Sequence, residues 1–234
     1  MDPNRRTALI IGTLFIAATA ASLLGTAIEG SLRTGTNYLT QISGNTIRVS
    51  AGGLFELVAA GSSAGIAISL YPVLNRWSGT LALGAVVFRA MEAVMYTFGA
   101  VSMLSLLKVA QQLTQAAGTD RASFQAIGAS LLGVREEATL AGVFAFVLGA
   151  LMYYYVFYRS GLVPRWLSGW GIAGVLLMLV ACLSALFSGN PVTSYVVFVL
   201  PIALQEMVMA VWLIARGFSS TAAETGKVAR VSAA

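Results

Sequence analysis

The sequence contains no histidine and only one cysteine, Cys182. The absence of histidine excludes zinc and haem sites with imidazole ligands, and every nucleophile whose base is histidine. A single cysteine cannot form an intramolecular disulfide, and Cys182 lies in an apolar run, so we predict that it is a small core residue. The carboxylates show no spacing typical of a metal site. The sequence therefore predicts no metal and no cofactor.

Charged residues are also scarce, and this decides the class of protein. They make up 10% of the 234 residues, whereas hydrophobic residues make up 58%. A soluble domain typically carries about 25% charged residues, so the composition predicts an integral membrane protein surrounded by a lipid bilayer. The formal net charge of +5 would suggest nucleic acid as the partner of a soluble protein. Here the basic residues lie at loop ends and in the tail, and no nucleic-acid partner is predicted.

Six apolar runs predict an all-α polytopic membrane protein with six transmembrane helices in one bundle. About 20 apolar residues span a bilayer, and the runs have about that length or more. The first run follows Arg5 and Arg6, as a signal peptide would, but it is longer than the apolar core of a signal peptide. We therefore favour a retained helix over a cleaved leader. The predicted helices cover about 7–28, 51–74, 81–107, 134–158, 166–187 and 192–215 of a single domain, 1–218, and 219–234 form a disordered cytoplasmic tail.

The longest polar connection, 108–133, has two interpretations. Asp120 could cap an amphipathic helix between helices three and four, which would lie on the membrane surface or cover the mouth of the bundle. A partly ordered loop is the alternative. The apolar residues that share one face of the predicted helix are Phe124, Ile127, Leu131 and Leu132.

The basic residues predict the orientation in the membrane. An even number of helices places both termini on one side, and the short connections on that side carry Arg76, Arg159 and Arg165. The basic residues of the opposite side lie mostly in long loops. Because lysine and arginine are enriched in short cytoplasmic loops, both termini are predicted to be cytoplasmic. At the end of the fourth helix, Tyr153, Tyr154, Tyr155 and Tyr158 are predicted to form an interfacial belt without a catalytic role.

Ionisable residues inside the apolar runs are the candidate site. Arg89 and Glu92 lie within the third run, one helical turn apart. On straight helices that rise 1.5 Å per residue, Arg89 and Glu206 lie roughly 12–14 Å from the same membrane boundary, so a direct pair between them is geometrically possible. The remaining candidates are Gln205 beside Glu206, Glu56 in the second helix, and Arg135 as the counter-ion of Glu56.

These embedded charges allow three readings of function. Charges in lipid need partners, so they could only lock the helices of a scaffold or regulatory subunit together. Alternatively, one guanidinium, Arg89, faces two carboxylates, and the second carboxylate would hold a proton or face water or a ligand. Pro201, five residues before Glu206, supports such a pocket. We favour binding or transport of a small molecule, lipid or proton. A membrane-embedded enzyme is the third reading, but no catalytic residue is recognisable.

Several motifs resemble one known family. They are FELVAA at 55–60, SLYPVL at the end of the second helix, FRAMEA at 88–93, LVPRWLSGWG at 162–171 and PIALQEMVMAVWLI at 201–214. Together they resemble a bacterial family known as domain of unknown function 4386, over nearly all of the chain from Arg5 to Phe218. The resemblance implies a multi-pass membrane protein, and we expect the bacterial inner membrane as its location. It implies no activity and no catalytic residue.

Overall fold

The computed structural model describes residues 3–33, 35, 37–115 and 121–219, and these parts are almost entirely helical. The predicted all-α architecture is confirmed. Two short 3₁₀ segments, Gly30–Leu32 and Val192–Tyr195, precede α2 and α7. The α-helices are α1 Pro3–Glu29, α2 Tyr38–Gly44, α3 Thr46–Leu74, α4 Gly79–Gln115, α5 Arg121–Ser160, α6 Arg165–Ser188 and α7 Val196–Ala215.

Six helical spans in the described parts of the chain are long and apolar enough to cross a membrane, as the sequence predicts. They comprise α1, α3, α4, α5, α6 and α7 with its preceding 3₁₀ turn. The helices α4 and α5 contain 37 and 40 residues, which is longer than their apolar runs. Hydropathy marks the part of a helix that suits lipid, whereas the backbone hydrogen bonds continue through polar residues beyond it.

The predicted amphipathic segment is helical, but it is not a separate helix. Residues 121–133 form the first part of α5, and no break separates them from the apolar part at Val134. Leu131 and Leu132 pack against a small core cluster that includes Leu106 and Leu107 of α4. The proposed cap, Asp120, and the tail 220–234 lie outside the described residues. The short helix α2, which the sequence did not predict, packs against α4.

Glycine and proline set the turn between α5 and α6 and the end of α6. Gly161 follows α5 with a positive φ of 70°, and its N–H bonds to the Phe157 carbonyl. Pro164 then adopts an extended conformation immediately before α6. Gly189 ends α6 in the left-handed region, with φ 71°. A glycine in this conformation after a helix is a common stop signal, since other residues adopt it at a cost.

The six spanning helices form a closed ring in chain order. Each packs against the next spanning helix, and α7 returns to pack against α1. We call the end of the ring that holds the start of α1 and the end of α7 the terminal side, and the opposite end the distal side. On the terminal side, the Arg5 guanidinium donates hydrogen bonds to the carbonyls of Leu213 and Ile214, which ties the start of α1 to the end of α7.

An aromatic core lies between the helices on the terminal side. Tyr153 and Tyr154 are 1% and 0% exposed and pack with Phe15 and Phe157, so the predicted interfacial belt is wrong for these two tyrosines. Tyr155 is half exposed. Consecutive residues of a helix point about 100° apart, so three adjacent tyrosines cannot share one environment. Cys182 is fully buried among apolar residues, as the sequence predicts.

Candidate functional site

The ring encloses a cavity with two adjacent chambers. The distal chamber has a volume of about 330 Å³, and the central chamber of about 150 Å³. Residues from all six spanning helices line both chambers. The two chambers adjoin each other, because they share the lining residues Ser22, Leu23, Ala59, Tyr96, Met178 and Val199.

Arg135 organises the distal chamber. Its two terminal nitrogens donate to both carboxylate oxygens of Glu56, and Nη1 also donates to the Gly99 carbonyl at 2.9 Å. Nη2 lies 2.9 Å from Oε2 of Glu29, so one guanidinium holds two carboxylates. These contacts connect α5 to α1, α3 and α4. Arg135 and Glu29 are 5% and 0% exposed, which makes this a buried charge cluster rather than a surface ion pair.

Glu29 is a member of this cluster that sequence reasoning missed. The predicted first helix stopped one residue earlier and left Glu29 in a polar connection, whereas α1 ends at Glu29. Gly52 of α3 makes room for the side chain: a Cβ atom at position 52 would lie 2.3 Å from Oε1 of Glu29. A glutamate at the end of an apolar run opposite a helical glycine was the signal available in the sequence.

Arg33 is the second missed residue, and it forms no close ion pair with the described residues. It follows the 3₁₀ turn after α1 and lines the distal chamber, where its Nε atom is buried without a hydrogen-bond partner. No carboxylate of the described residues lies within 4 Å of its guanidinium. Burial lowers the pKa of Arg33, and the neighbouring Arg135 charge lowers it further.

Arg89 and Glu92 form the central cluster on α4. Nη1 of Arg89 lies 2.9 Å from Oε2 of Glu92, and the two residues are 3% and 4% exposed. The hydroxyl of Ser63 on α3 donates a 2.8 Å hydrogen bond to the same carboxylate oxygen. The Arg89 guanidinium also lies over the ring of Phe146 on α5, 4.9 Å from its centroid, in the range of a cation–π contact.

Removing the Ser63 hydroxyl tests whether the central cluster contributes to stability. Hydrogen bonds to charged groups contribute about 1.5–3 kcal/mol, so Ser63→Ala is expected to lower the free energy of unfolding by that amount. Ser130→Ala is the matched control, because Ser130 is exposed and bonds only to the Ala126 carbonyl of its own helix. Its effect is expected within about 0.5 kcal/mol. Equal effects of the two variants, in denaturant unfolding of detergent-solubilised protein, would contradict a stabilising role.

Glu206 lines the central chamber with Arg89 and Glu92, but it makes no ion pair with Arg89. Within the described residues the carboxylate within 4 Å of Arg89 is Glu92, one turn away on the same helix. The Arg89 charge still acts on Glu206 over a longer distance, together with Tyr153. Oε1 of Glu206 is buried without a hydrogen-bond partner. The direct Arg89–Glu206 pair considered from the sequence is therefore not formed, and the Arg89 guanidinium pairs instead with Glu92 on its own helix.

Gln205 points away from the cavity, although it is adjacent to Glu206. Its Nε2 donates to the Leu167 carbonyl at 2.9 Å, and its Oε1 accepts a hydrogen bond from the Tyr154 hydroxyl. These contacts join α5, α6 and α7 in the core. Gln205 is 0% exposed and lines neither chamber. Neighbouring positions on a helix differ by about 100°, so one residue of the pair faces the core and the other faces the cavity.

The charges in and around the cavity do not balance. The arginines are Arg33, Arg89 and Arg135, and the glutamates are Glu29, Glu56, Glu92 and Glu206. The ion pairs of the described residues include all of these side chains except Arg33 in the distal chamber and Glu206 in the central chamber. The same parts of the chain contain no group of three or more histidine, cysteine, aspartate or glutamate side chains that could hold a metal ion.

A comparison with known protein families assigns the chain to one of them. The family model described as domain of unknown function (DUF4386) matches residues 10–217. The chain belongs to this family. The DUF4386 match begins in α1 and ends just after α7, so it includes both chambers and their charges. No curated protein and no solved structure matches the chain. The geometry of the cavity is therefore the basis for a functional proposal.

Proposed function

We propose that this integral membrane protein binds or transports a small molecule, a lipid or protons through the polar cavity inside its ring of helices. The observation that carries the proposal is the pair of adjacent chambers, lined by all six spanning helices and containing buried charges at two levels. Ionisable residues at membrane depth are costly, and they typically mark substrate, ion or proton pathways.

The unequal pairing of the charges supports binding over a purely structural role. Arg89 with Glu92, and Arg135 with Glu29 and Glu56, form close ion pairs. Within the described residues, Arg33 and Glu206 line the same cavity without such an ion pair. Buried polar groups normally have hydrogen-bond partners, and buried atoms of the lining arginines and of Glu206 have none, which favours an occupant that supplies them.

The proposed setting is the bacterial inner membrane, with both termini in the cytoplasm. The turns on the terminal side are short and carry basic residues, namely Arg76 after α3, and Arg159 and Arg165 around the turn between α5 and α6. Short loops rich in arginine and lysine are retained on the cytoplasmic side during insertion. The resemblance to a bacterial family agrees with this location.

Native mass spectrometry of the gently solubilised protein tests the proposal. We expect a discrete adduct of a small molecule or lipid on the wild type, which Val199→Trp removes because Val199 lines both chambers at their junction. Leu200→Trp is the matched control: Leu200 is 49% exposed on the outer face of α7, and its variant is expected to keep the adduct. An adduct that survives Val199→Trp in folded protein would contradict binding in the cavity.

A membrane scaffold or regulatory subunit is the second candidate function. The contacts of Arg135 with α1, α3 and α4 favour it, because they show that a buried charge can hold the ring together. In this case the charges are structural and the cavity needs no ligand. The absence of any adduct on the wild type, together with a protein partner that co-purifies in stoichiometric amounts, would favour the scaffold over the binding protein.

A further inference from the structure

The ring of helices is not equally tight along the contact between α1 and α7. On the terminal side the backbones approach closely: a Cβ atom at Gly12 would lie 2.8 Å from the Ala210 carbonyl oxygen. Towards the distal side, Leu23 of α1 and Val196 of α7 both line the distal chamber, yet they are 63% and 52% exposed. The distal chamber therefore reaches the outer surface of the bundle between α1 and α7.

This opening lies within the lipid-facing part of the helices. Leu23 is six residues from the end of α1, which corresponds to about 9 Å along a helix, so the opening meets acyl chains rather than the aqueous phase. Pro201 lies in α7 between Val196 and Ala210, and a proline in a helix interior removes a backbone hydrogen bond and bends the helix. A ligand that partitions into the membrane can reach the cavity by this route.

The lining of the distal chamber is of mixed polarity, which suits an amphipathic ligand. Its apolar residues include Val143, Met178, Val196 and Val199, and its charged residues are Arg33, Glu56 and Arg135. The distal volume, about 330 Å³, falls at the lower end of the range of about 300–1,000 Å³ found for sites of drug-sized ligands. A ligand with a short apolar body and one small polar group fits this space.

The charge balance specifies the sign of the polar group. In the distal chamber Arg33 could attract an anion, but it lies beside the carboxylates of Glu29 and Glu56, and the two arginines and two glutamates there sum to zero. In the central chamber Arg89 matches Glu92 and leaves the negative charge of Glu206 uncompensated when it is ionised. Tyr96 lines both chambers, and an aromatic ring is a further group that attracts a positive charge.

We infer that the cavity binds a monovalent amphipathic cation, which is a protonated amine or a quaternary ammonium with an apolar body. The positive charge of this ligand lies against Glu206. The ligand enters the cavity from the lipid, between α1 and α7. This inference rests on the proposed function and names the ligand class of the same site. Binding at Glu206 returns the charge sum of the cavity to zero, which removes the cost of an unpaired carboxylate in a low-dielectric site.

Protons and the cation compete for the same carboxylate, because Glu206 must be ionised to hold a positive ligand. The competition therefore makes cation binding tighter at higher pH. The titratable groups that face Glu206 lie on α4 and α5, whereas the parts of α1 and α6 that line the central chamber contribute uncharged residues. The titratable groups are Arg89, Glu92, Tyr96, Tyr153 and Tyr154. The uncharged residues of α1 and α6 are Ala18, Thr19, Ser22, Leu23 and Met178.

Two probes, octyltrimethylammonium and octylsulfonate, test the inference. They have the same alkyl chain and head groups of opposite charge. Their binding to the protein in nanodiscs of zwitterionic lipid is measured by calorimetry, with empty nanodiscs as the blank for partitioning. We expect the cation to bind the wild type about tenfold or more tighter than the anion. Glu206→Gln is expected to weaken cation binding by about tenfold and to abolish its pH dependence. Glu137→Gln, the same substitution on an exposed residue of α5, is expected to change neither.

The outcomes separate this inference from the proposed function. Equal or tighter binding of the anion, or unchanged cation binding to folded Glu206→Gln, would overturn the cation class and leave a binding cavity in place. No binding of either probe, combined with no adduct in native mass spectrometry, would overturn both. If Glu206→Gln does not fold, the head-group preference and the pH dependence of the wild type decide, because neither needs a variant.

Discussion

Arg135→Gln is expected to lower the free energy of unfolding by about 3–5 kcal/mol, the range found when one partner of a buried ion pair is removed. The substitution leaves two carboxylates without their cation, and one of them, Glu29, is 0% exposed. It also removes the hydrogen bond to the Gly99 carbonyl. Denaturant unfolding in mild detergent measures the loss, and the same experiment on Arg121→Gln, at the exposed start of α5, is the control.

A second substitution shows whether the loss comes from the uncompensated charge. Adding Glu29→Gln to Arg135→Gln removes one of the two stranded carboxylates, so the double variant is expected to be more stable than Arg135→Gln alone. Residues in contact typically show coupling energies of about 0.5–3 kcal/mol. Strictly additive losses would mean that Arg135 and Glu29 do not interact in solution, contrary to the 2.9 Å contact between Nη2 and Oε2.

Two glycines of α6 are expected to respond to alanine with opposite signs. A Cβ atom at Gly171 would lie 2.4 Å from the ring of Tyr154, which is fully buried and bonds to Gln205. Overpacking of this kind costs about 1–3 kcal/mol, and a broken buried hydrogen bond adds about 1–3 kcal/mol. Gly171→Ala is therefore expected to destabilise the protein by at least about 1 kcal/mol.

Gly169→Ala provides the matched comparison on the same helix. The nearest atom to a Cβ at Gly169 lies at 3.8 Å, in the ring of Tyr158, which is an ordinary contact distance. Alanine is favoured over glycine in a helix interior by about 0.5–1 kcal/mol, so this variant is expected to be slightly more stable than the wild type. Thermal unfolding of the two variants side by side checks the contrast. Equal shifts in Tm would mean that Tyr154 moves aside without cost.

The number of spanning helices could be predicted from the sequence because lipid imposes a minimum apolar length on each helix. Their ends could not, because α4 and α5 continue as helices beyond the apolar run. In α5 the polar residues before Val134 keep the same backbone hydrogen bonds as the apolar residues after it. Clear signals mark the turn between α5 and α6: Gly161 and Pro164 lie between the end of α5 at Ser160 and the start of α6 at Arg165.

The depth of the embedded charges could also be estimated, but their direction around the helix axis could not. Counting residues along the helices predicted that Glu56 lies near Arg135 and that Arg89 lies at the depth of Glu206. In the structure, Glu56 and Arg135 line the distal chamber, and Arg89 and Glu206 line the central chamber. In a membrane both the lipid face and the core face of a helix are apolar, so hydropathy does not show which side faces inward. The opposite directions of Gln205 and Glu206 depend on that rotation.

The ion pair between Arg135 and Glu56 also has a consequence for biosynthesis. The two residues are 79 positions apart, and chains elongate at about 5–20 residues per second, so Glu56 precedes its cation by about 4–16 s. Glu29 is made earlier still and waits for the same arginine. Neither carboxylate can settle as a charged group in lipid during this interval. We therefore expect Glu29 on α1 and Glu56 on α3 to stay protonated, or to remain beside water at the insertion machinery, until α5 arrives.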